Sequence, residues 1–439
     1  MFGFGQRRGR REGQRPLRVA QICGATDGAA WMVEIAAGLR ARGFEVVCVI
    51  GSPHGETARH LAERGIPFVA MTQQLVGPSS RFAARLGGLP LIGAARWGFD
   101  LVALLRTAGR MARILRRERI DIAHTHVISS ILIGRIAGLM ARVPLRVSMV
   151  PGPYHLESDY LRRADLATQW MDHRLIAGSQ RTDDLYAQHG IPAERRRVVS
   201  YGADRDGFDP ADADPARIRQ ELGLSPDALL VGQVAYFYPV DDGPFAPPDV
   251  RGRGVKGHED FVDAARIVLD QRPDARFLLV GDGWGPAGEQ HRDGIRRRCR
   301  ELGIEDEVIF MGRRRDIRDV LAALDVSVQC SLSENYGGTL ESLLMRAPTI
   351  ATRVGGMPEA VRHEQTGLLV QPRDPAGLAA AMLRLIEDRP LARRLGAAGR
   401  ELMLERFTFQ TTVAGVESVY RELAAERGLS RPPLAHPPA

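Results

Sequence analysis

From Leu17 onward, short apolar runs rich in β-branched residues alternate with longer stretches of helical spacing. LRVAQICG is the first such run. AAWMVEIAAGLRARG follows, with apolar residues at helical spacing, and stops at Gly43. FEVVCVIG, DIAHTHV, LRVSMV, RLIAGS and RVVSYG continue the theme, and most are separated by helix-like stretches. Strands buried on both faces read as unbroken apolar runs. Strands alternating with helices predict βαβ units on a parallel sheet. The pattern restarts after Ala203 with ALLVGQVAYF, ARFLLVGDG, EVIFMG, VSVQCS, APTIATRV and GLLVQP. The expected fold class is α/β, with two Rossmann-like parallel-sheet domains at 16–202 and 203–408. Open sheets of this kind bind ligands beyond the carboxyl ends of their strands, so the two sets of ends are expected to face a cleft. A last helical stretch, 409–427, follows the second unit; it can pack on either domain, and a crossing back to the first is the expectation carried in the fold class.

Length agrees with this division, because single cores stop growing near ~250–300 residues and the chain has 439. Residues 1–15 are basic and carry no apolar core, which predicts a disordered basic arm rather than a secretory leader. Residues 428–439 read as a disordered, Pro-rich tail. No run of ~18 uncharged apolar residues occurs, so no spanning helix is expected. The cysteines, Cys23, Cys48, Cys299 and Cys330, are widely spaced. They form no metal or disulfide pattern and suggest buried thiols in a reducing cytoplasm. The net charge of +7 favours anionic partners such as nucleotides or lipid headgroups. Nucleic acid is not expected, since no recognition module is visible.

The segment SENYGGTLESLLMRAPTIATRVGGMPEAV, 333–361, carries the densest chemistry. VSVQCS before it reads as a buried strand. Glu334 then stands at the strand's carboxyl end, and Glu341 falls in the first turn of the next helix. The backbone N–H groups of Tyr336, Gly337, Gly338 and Thr339 would point into the cleft, where glycines ahead of a helix make an anion site. A ligand with both hydroxyls and phosphates reconciles carboxylates with an anion site. Carboxylates accept from sugar hydroxyls, and backbone N–H groups take phosphate oxygens. The plainer alternative is that Glu341 complements the helix dipole and Glu334 caps a loop.

ENYGGTLE, RAP, TIAT and VGGMPE, in that order, resemble the signature of retaining GT-B glycosyltransferases of family 4, the "group 1" transferases. The likeness runs from about Leu17 to Tyr420. It implies a GT-B fold and transfer of a sugar from a nucleotide-diphosphate sugar, UDP- or GDP-linked, to a glycan or lipid-linked acceptor. It implies no cofactor and no metal. By this resemblance Glu341 would hold the donor ribose, Glu334 would contact the transferred sugar, and Asn335 to Gly338 would face sugar and diphosphate. The chain has one residue fewer between its two glutamates than the family's usual pattern.

GVKGHEDFVDAA is similar to the family's Lys-Gly segment, so Lys256 would meet the diphosphate. The family's nearby arginine is replaced by Tyr236; Arg251 or Arg253, from the irregular loop 241–254, could supply the charge. Gly312 and Arg313 would lie near the donor base. Gly28, followed by Ala29, matches a Gly-Gly loop that approaches donor and acceptor. The family's histidine near the reacting centre is Val150 here, which makes His155 the candidate catalytic residue beside Glu334. His124 and His126 are its alternatives. A GT-B sugar-nucleotide epimerase and a non-catalytic nucleotide-sugar or membrane-binding relative are the other function classes.

Residues 101–119 read as a basic amphipathic helix. Leu101, Leu104, Leu105, Ala108, Met111 and Leu115 share one face, and Arg106, Arg110, Arg113 and Arg117 share another. It suits either a domain-packing role or peripheral contact with an anionic membrane at its inner, cytoplasmic face.

Overall fold

The computed structural model describes residues 15–71, 92–225, 228–243 and 245–429, with the backbone alone at 92–101. Apart from Arg15, Gly428 and Leu429, the expected arm and tail lie outside these residues. Among the described residues, β1 (Arg18–Cys23), β2 (Glu45–Ile50), β3 (Phe68–Ala70), β4 (Ile122–His126), β5 (Leu145–Val150), β6 (Arg174–Ala177) and β7 (Arg196–Val198) form one sheet. Their order is β3-β2-β1-β4-β5-β6-β7. A second sheet holds β8 (Leu230–Val234), β9 (Arg276–Val280), β10 (Val308–Gly312), β11 (Val326–Gln329), β12 (Thr349–Thr352) and β13 (Leu368–Val370). Its order is β10-β9-β8-β11-β12-β13. The pairings around both centres are parallel, as at β1–β4 and β8–β11. β3 was not foreseen, because its three half-buried residues make a run too short to stand out.

Each order reverses beside its first strand, between β1 and β4 and between β8 and β11. Such switch points open the crevices in which doubly wound sheets hold ligands. The central strands are buried along their whole length, as at β4 and β11; polar residues they carry find partners inside, as His124 does on Tyr420 and Ser327 on Ser342.

One face of the first sheet packs under Ala30–Ala41 and the final helix, Phe409–Glu426. The other packs under Ile92–Arg117 and Ile128–Ala141. Within Ile92–Arg117, Ala108, Met111 and Leu115 are buried in that layer, whereas Leu105 is exposed and Arg106, Arg113 and Arg117 face outward. The final helix begins at Thr408, whose side chain accepts from the Thr411 N–H in a capping box. It crosses back to the first domain. The crossover runs so close to Gly202 that a Cβ there would lie 2.1 Å from the Thr408 carbonyl carbon. Tyr420 is fully buried, accepts from Gln21 Nε2 (3.0 Å) and hydrogen-bonds to His124 Nδ1 (2.6 Å). Arg42, Arg174 and Arg197 pair with Glu417, Glu426 and Glu422 of the same helix.

Candidate active site

The loop after β8 and the loop after β11 meet at the second sheet's switch point. Gly257 takes φ +68°, and a Cβ on it would lie 2.1 Å from the Cys330 carbonyl oxygen. Only glycine lets the Lys256 turn lie so flat against the end of β11. Gln233 Nε2 donates to the Lys256 carbonyl (2.6 Å) and fixes the turn from β8. Lys256 Nζ thereby reaches the Glu334 carboxylate and forms an ion pair with it. Both side chains are mostly buried, at 18% and 16% exposure. Burial opposes the Lys256 charge, but Glu334 beside it more than offsets this, and the ammonium is held above its ordinary range. The shortened spacing therefore does not displace Glu334 from the lysine.

The loop curls through Gly337, at φ +51°, where a Cβ would come within 2.9 Å of Glu334 Oε2. The Asn335 N–H donates to Glu334 Oε1 (3.0 Å), and the Thr339 N–H donates to the Tyr336 carbonyl (3.1 Å). These two are thus engaged, which corrects the expectation that the Thr339 N–H opens into the cleft. Among the described residues, the N–H groups of Tyr336, Gly337 and Gly338 have no partner.

Glu341 stands in the first turn of the short helix Thr339–Leu344. Burial, reinforced by the Glu334 charge, pushes its carboxyl up to about 7. Its Oε2 is buried without a partner, as are Thr339 Oγ1 and Gln329 Nε2. An unpaired buried polar atom costs about 1–3 kcal/mol, so such a group points to a ligand that would satisfy it. An acceptor, a hydroxyl and an amide donor together suit a hydroxyl-rich molecule.

The other predicted residues divide. The Asn335 side chain donates to the Gly178 carbonyl (3.2 Å), and Tyr336 Oη contacts Ser200 (3.2 Å) and Glu359 (3.0 Å). Both side chains hold the two domains together and do not face the loop's open amides. Gly312, at φ +66°, ends β10. Arg313 next to it pairs across the cleft with Glu56 (3.3 Å). Gly28, at φ +72°, precedes the helix Ala30–Ala41, and a Cβ there would meet Trp284 Cη2 of the second domain at 3.6 Å.

His155 does not join this group. It is buried, and its Nε2 contacts Asp165 (3.2 Å) and Tyr186 (3.1 Å). Asp165 in turn pairs with the fully buried Arg135, which also pairs with Asp172. The short helix Tyr154–Glu157 turns the imidazole inward onto this network. His124 and His126 are fully buried as well; burial pushes the first down to about 3 and the second well below its ordinary range. They anchor Gln21 and Tyr420. Arg251 and Arg253 do not take the place opened by Tyr236 either. Arg253 pairs with Asp260, and Arg251 donates to the Ala246 carbonyl (3.3 Å).

Two family models match the chain, "Glycosyl transferase 4-like domain" over residues 28–202 and "Glycosyl transferases group 1" over 251–388. A D-inositol 3-phosphate glycosyltransferase of Acidothermus cellulolyticus is 31% identical over 409 residues, 85% of each chain. The chain belongs to the group 1 glycosyltransferases. An N-acetyl-alpha-D-glucosaminyl L-malate synthase of Bacillus anthracis is 27% identical to the transferase over 330 residues, 73% of this chain and 79% of that one. Anabaena HepE in complex with UDP superposes with a TM-score of 0.71 at 22% identity, covering 93% of this chain and 100% of that one. A sucrose-phosphate synthase from Thermosynechococcus elongatus gives 0.72 at 21%, over 93% and 100%. These likenesses place the transferase in the GT-B fold.

Sequence reasoning missed the aromatic group beside Lys256. Trp284 packs against Tyr236 (5.1 Å) and stacks on Tyr238 (5.5 Å), and Lys256 Nζ lies 5.7 Å from the Tyr238 ring centre. In the transferase this group stands where the family's arginine is absent. A tryptophan inside the glycine-rich turn VGDGWGP was the available signal, since a large ring in a bare turn usually has a surface to meet.

Proposed function

We propose that the transferase moves a hexosyl group from a nucleoside-diphosphate sugar, UDP- or GDP-linked, to a glycan or lipid-linked acceptor with retention of anomeric configuration. The observation that carries this reading is the Lys256–Glu334 ion pair, set one turn of chain from the open amides of residues 336–338 and the unpartnered Glu341 Oε2. In this reading Glu341 accepts from the donor ribose, and the amides and Lys256 take the diphosphate. Glu334 accepts from hydroxyls of the transferred sugar. The bond from the anomeric carbon to the diphosphate oxygen breaks, and a bond to the acceptor hydroxyl oxygen forms on the same face. The hydroxyl proton leaves with the diphosphate. Lys256 and the amides stabilise the charge that develops on that leaving group.

Support for the donor class comes from HepE, solved with UDP and with UDP-glucose, and from the name of one Escherichia coli relative, a UDP-Gal:alpha-D-GlcNAc-diphosphoundecaprenol alpha-1,3-galactosyltransferase. Gly28 and Arg313 face each other's domains across the cleft and would close on the donor, which excludes water that would hydrolyse it. Calorimetric titration with UDP and GDP tests the reading. One of them is expected to bind the wild-type protein, with affinity falling at least tenfold in Glu341→Ala. Binding of neither contradicts it.

The basic helix gives the membrane reading a specific surface. Val102 and Leu105 are exposed beside Arg106, and Leu139 and Met140 are exposed on the neighbouring helix. No helix among the described residues is long and apolar enough to cross a membrane. Peripheral attachment through this patch predicts co-sedimentation with phosphatidylglycerol vesicles that Leu105→Gln weakens. Absence of sedimentation contradicts it.

A further inference from the structure

Lys256 is the single lysine among the 439 residues, and the other 59 of the chain's 60 lysine and arginine side chains are arginine. An ammonium is a compact point charge, whereas a guanidinium is a wide planar fork. The one ammonium stands in the ion pair with Glu334, at a corner of the site walled by the rings of Tyr236, Tyr238 and Trp284.

The wall is rigid. Tyr236 and Tyr238 follow β8, and Trp284 lies in the turn after β9. Trp284 stacks on Tyr238 with the ring planes 21° apart and meets Tyr236 edge-on at 84°. The Phe237 N–H donates to the Asp282 carbonyl (3.0 Å), and the Trp284 backbone N–H donates to the Phe237 carbonyl (2.9 Å). His291 Nδ1 hydrogen-bonds to the Tyr238 carbonyl (2.8 Å). Tyr238 thus has a fixed backbone and a stacked ring, and little motion is left for a ligand to arrest.

Its hydroxyl is free. The Tyr238 side chain is half-buried, and its Oη has no hydrogen-bond partner among the described residues. A tyrosine so placed usually finds a partner for its polar end. Burial, opposed by the Lys256 charge and reinforced by Glu334, holds the phenol above its ordinary range, so it stays protonated and donates. The charges that act on Tyr236 are instead those of Arg313, Glu56, Asp27 and Asp282. The tyrosine beside the lysine is therefore Tyr238, and not the Tyr236 that matches the family's arginine. The open amides are close as well. A Cβ on Gly338 would lie 3.3 Å from the carbonyl oxygen of Val234, the last residue of β8. A hydroxyl, an ammonium and free N–H groups gathered at one place suit an anion.

We propose that Tyr238 is a further donor-contacting residue, whose hydroxyl donates to the diphosphate beside Lys256, and that Trp284 is the positioning residue that holds its ring. The phenol keeps its proton throughout and stabilises, through a hydrogen bond, the charge that grows on the departing diphosphate. The same wall accounts for the lone lysine, because a planar fork at 256 would push the Tyr238 ring off Trp284. This inference rests on the donor reading above and adds residues to its leaving-group end.

The test compares a nucleoside diphosphate with its nucleoside. UDP and GDP are titrated calorimetrically into the full chain, and uridine or guanosine is measured by displacement of whichever binds. Tyr238→Phe should weaken the diphosphate about tenfold, the loss expected for one hydrogen bond to a charged group, and leave the nucleoside unchanged. Trp284→Leu should do the same, and Trp284→Phe, which keeps a ring against Tyr238, should recover most of the loss. Lys256→Arg keeps the charge and should still bind the diphosphate about tenfold more weakly, since the wider fork displaces the ring. Wild-type diphosphate affinity in Tyr238→Phe, or an equal loss for nucleoside and diphosphate, overturns the proposal. Wild-type affinity in Trp284→Leu overturns the positioning role, and wild-type affinity in Lys256→Arg overturns the fit of ring to ammonium. Failure of both nucleotides to bind the wild-type protein contradicts the donor reading instead. Inorganic pyrophosphate is then titrated, where binding that weakens in Tyr238→Phe upholds the contact and binding that is unchanged or absent overturns it.

Discussion

Lys256 and Glu334, 78 residues apart in the chain, form an ion pair where the two loops of the second sheet's switch point meet. Neither residue has an obvious structural need for the other. A mostly buried pair contributes little net stability, because desolvation offsets most of the attraction. Its placement beside unpartnered amides is what gives it a chemical reading.

Lys256→Gln keeps a hydrogen-bonding side chain but removes the charge that would balance a departing diphosphate. Loss of one such stabilising group lowers turnover by about 10²–10³. We expect kcat to fall by that order at a temperature where the variant is folded, and the urea midpoint to fall as well, because Glu334 is left mostly buried without its counter-charge. A kcat within about threefold of wild type would remove Lys256 from the account.

In the proposed reading, Glu341 makes donor binding pH-dependent. Burial pushes its carboxyl up to about 7, and the ionised form accepts from two ribose hydroxyls more strongly than the protonated form does. Below 7 the stronger, ionised acceptor is progressively lost, so affinity should weaken by up to about tenfold per unit as pH falls and level off above 7. The stability effect has the opposite direction. The folded state binds a proton that the unfolded state releases at its ordinary value of 4.5, so this group's contribution falls as pH rises from there to 7. Calorimetry at pH 6 and pH 8 checks the first statement. In Glu341→Gln the affinity should be weak and flat with pH.

His155→Gln separates support from catalysis. Its imidazole faces Asp165 and Tyr186 inside the first domain. Disturbing these buried bonds should cost about 1–3 kcal/mol in urea unfolding. At a temperature where the variant is folded, kcat/KM should stay within about threefold of wild type. A normal unfolding midpoint with activity lost a hundredfold would restore His155 to the reacting centre.

Tyr420→Phe removes the hydroxyl shared by Gln21 and His124. Both partners are buried and would be left unpaired, which costs about 1–3 kcal/mol. Amide exchange should quicken in Phe409–Glu426 before it does in the second sheet. Unchanged exchange there would mean that the ion pairs from Arg42, Arg174 and Arg197 suffice to hold the helix.

Much of this was legible in the sequence. The buried strands announce themselves because parallel strands need apolar residues on both faces, as in FEVVCVIG and ARFLLVGDG. Glu334 and Glu341 could be placed at the cleft because they follow the strand VSVQCS directly, whereas Lys256, beyond the irregular loop 241–254, was singled out only by the family resemblance of its segment. β3 escaped notice because its apolar run, FVA, is only three residues long. His155 was misjudged because its direction depends on a one-turn helix and on a partner, Tyr186, 31 residues away. The final helix could be foreseen as a helix but not placed, since its anchors Gln21 and His124 lie at the other end of the chain.

The most direct measurement is transfer of radiolabel from a panel of UDP- and GDP-sugars to glycan and lipid-linked acceptors, run beside Glu341→Ala. The account predicts that one donor labels an acceptor in the wild type and that labelling falls at least tenfold in the variant. Labelling by no donor, or equal labelling in both proteins, would contradict it.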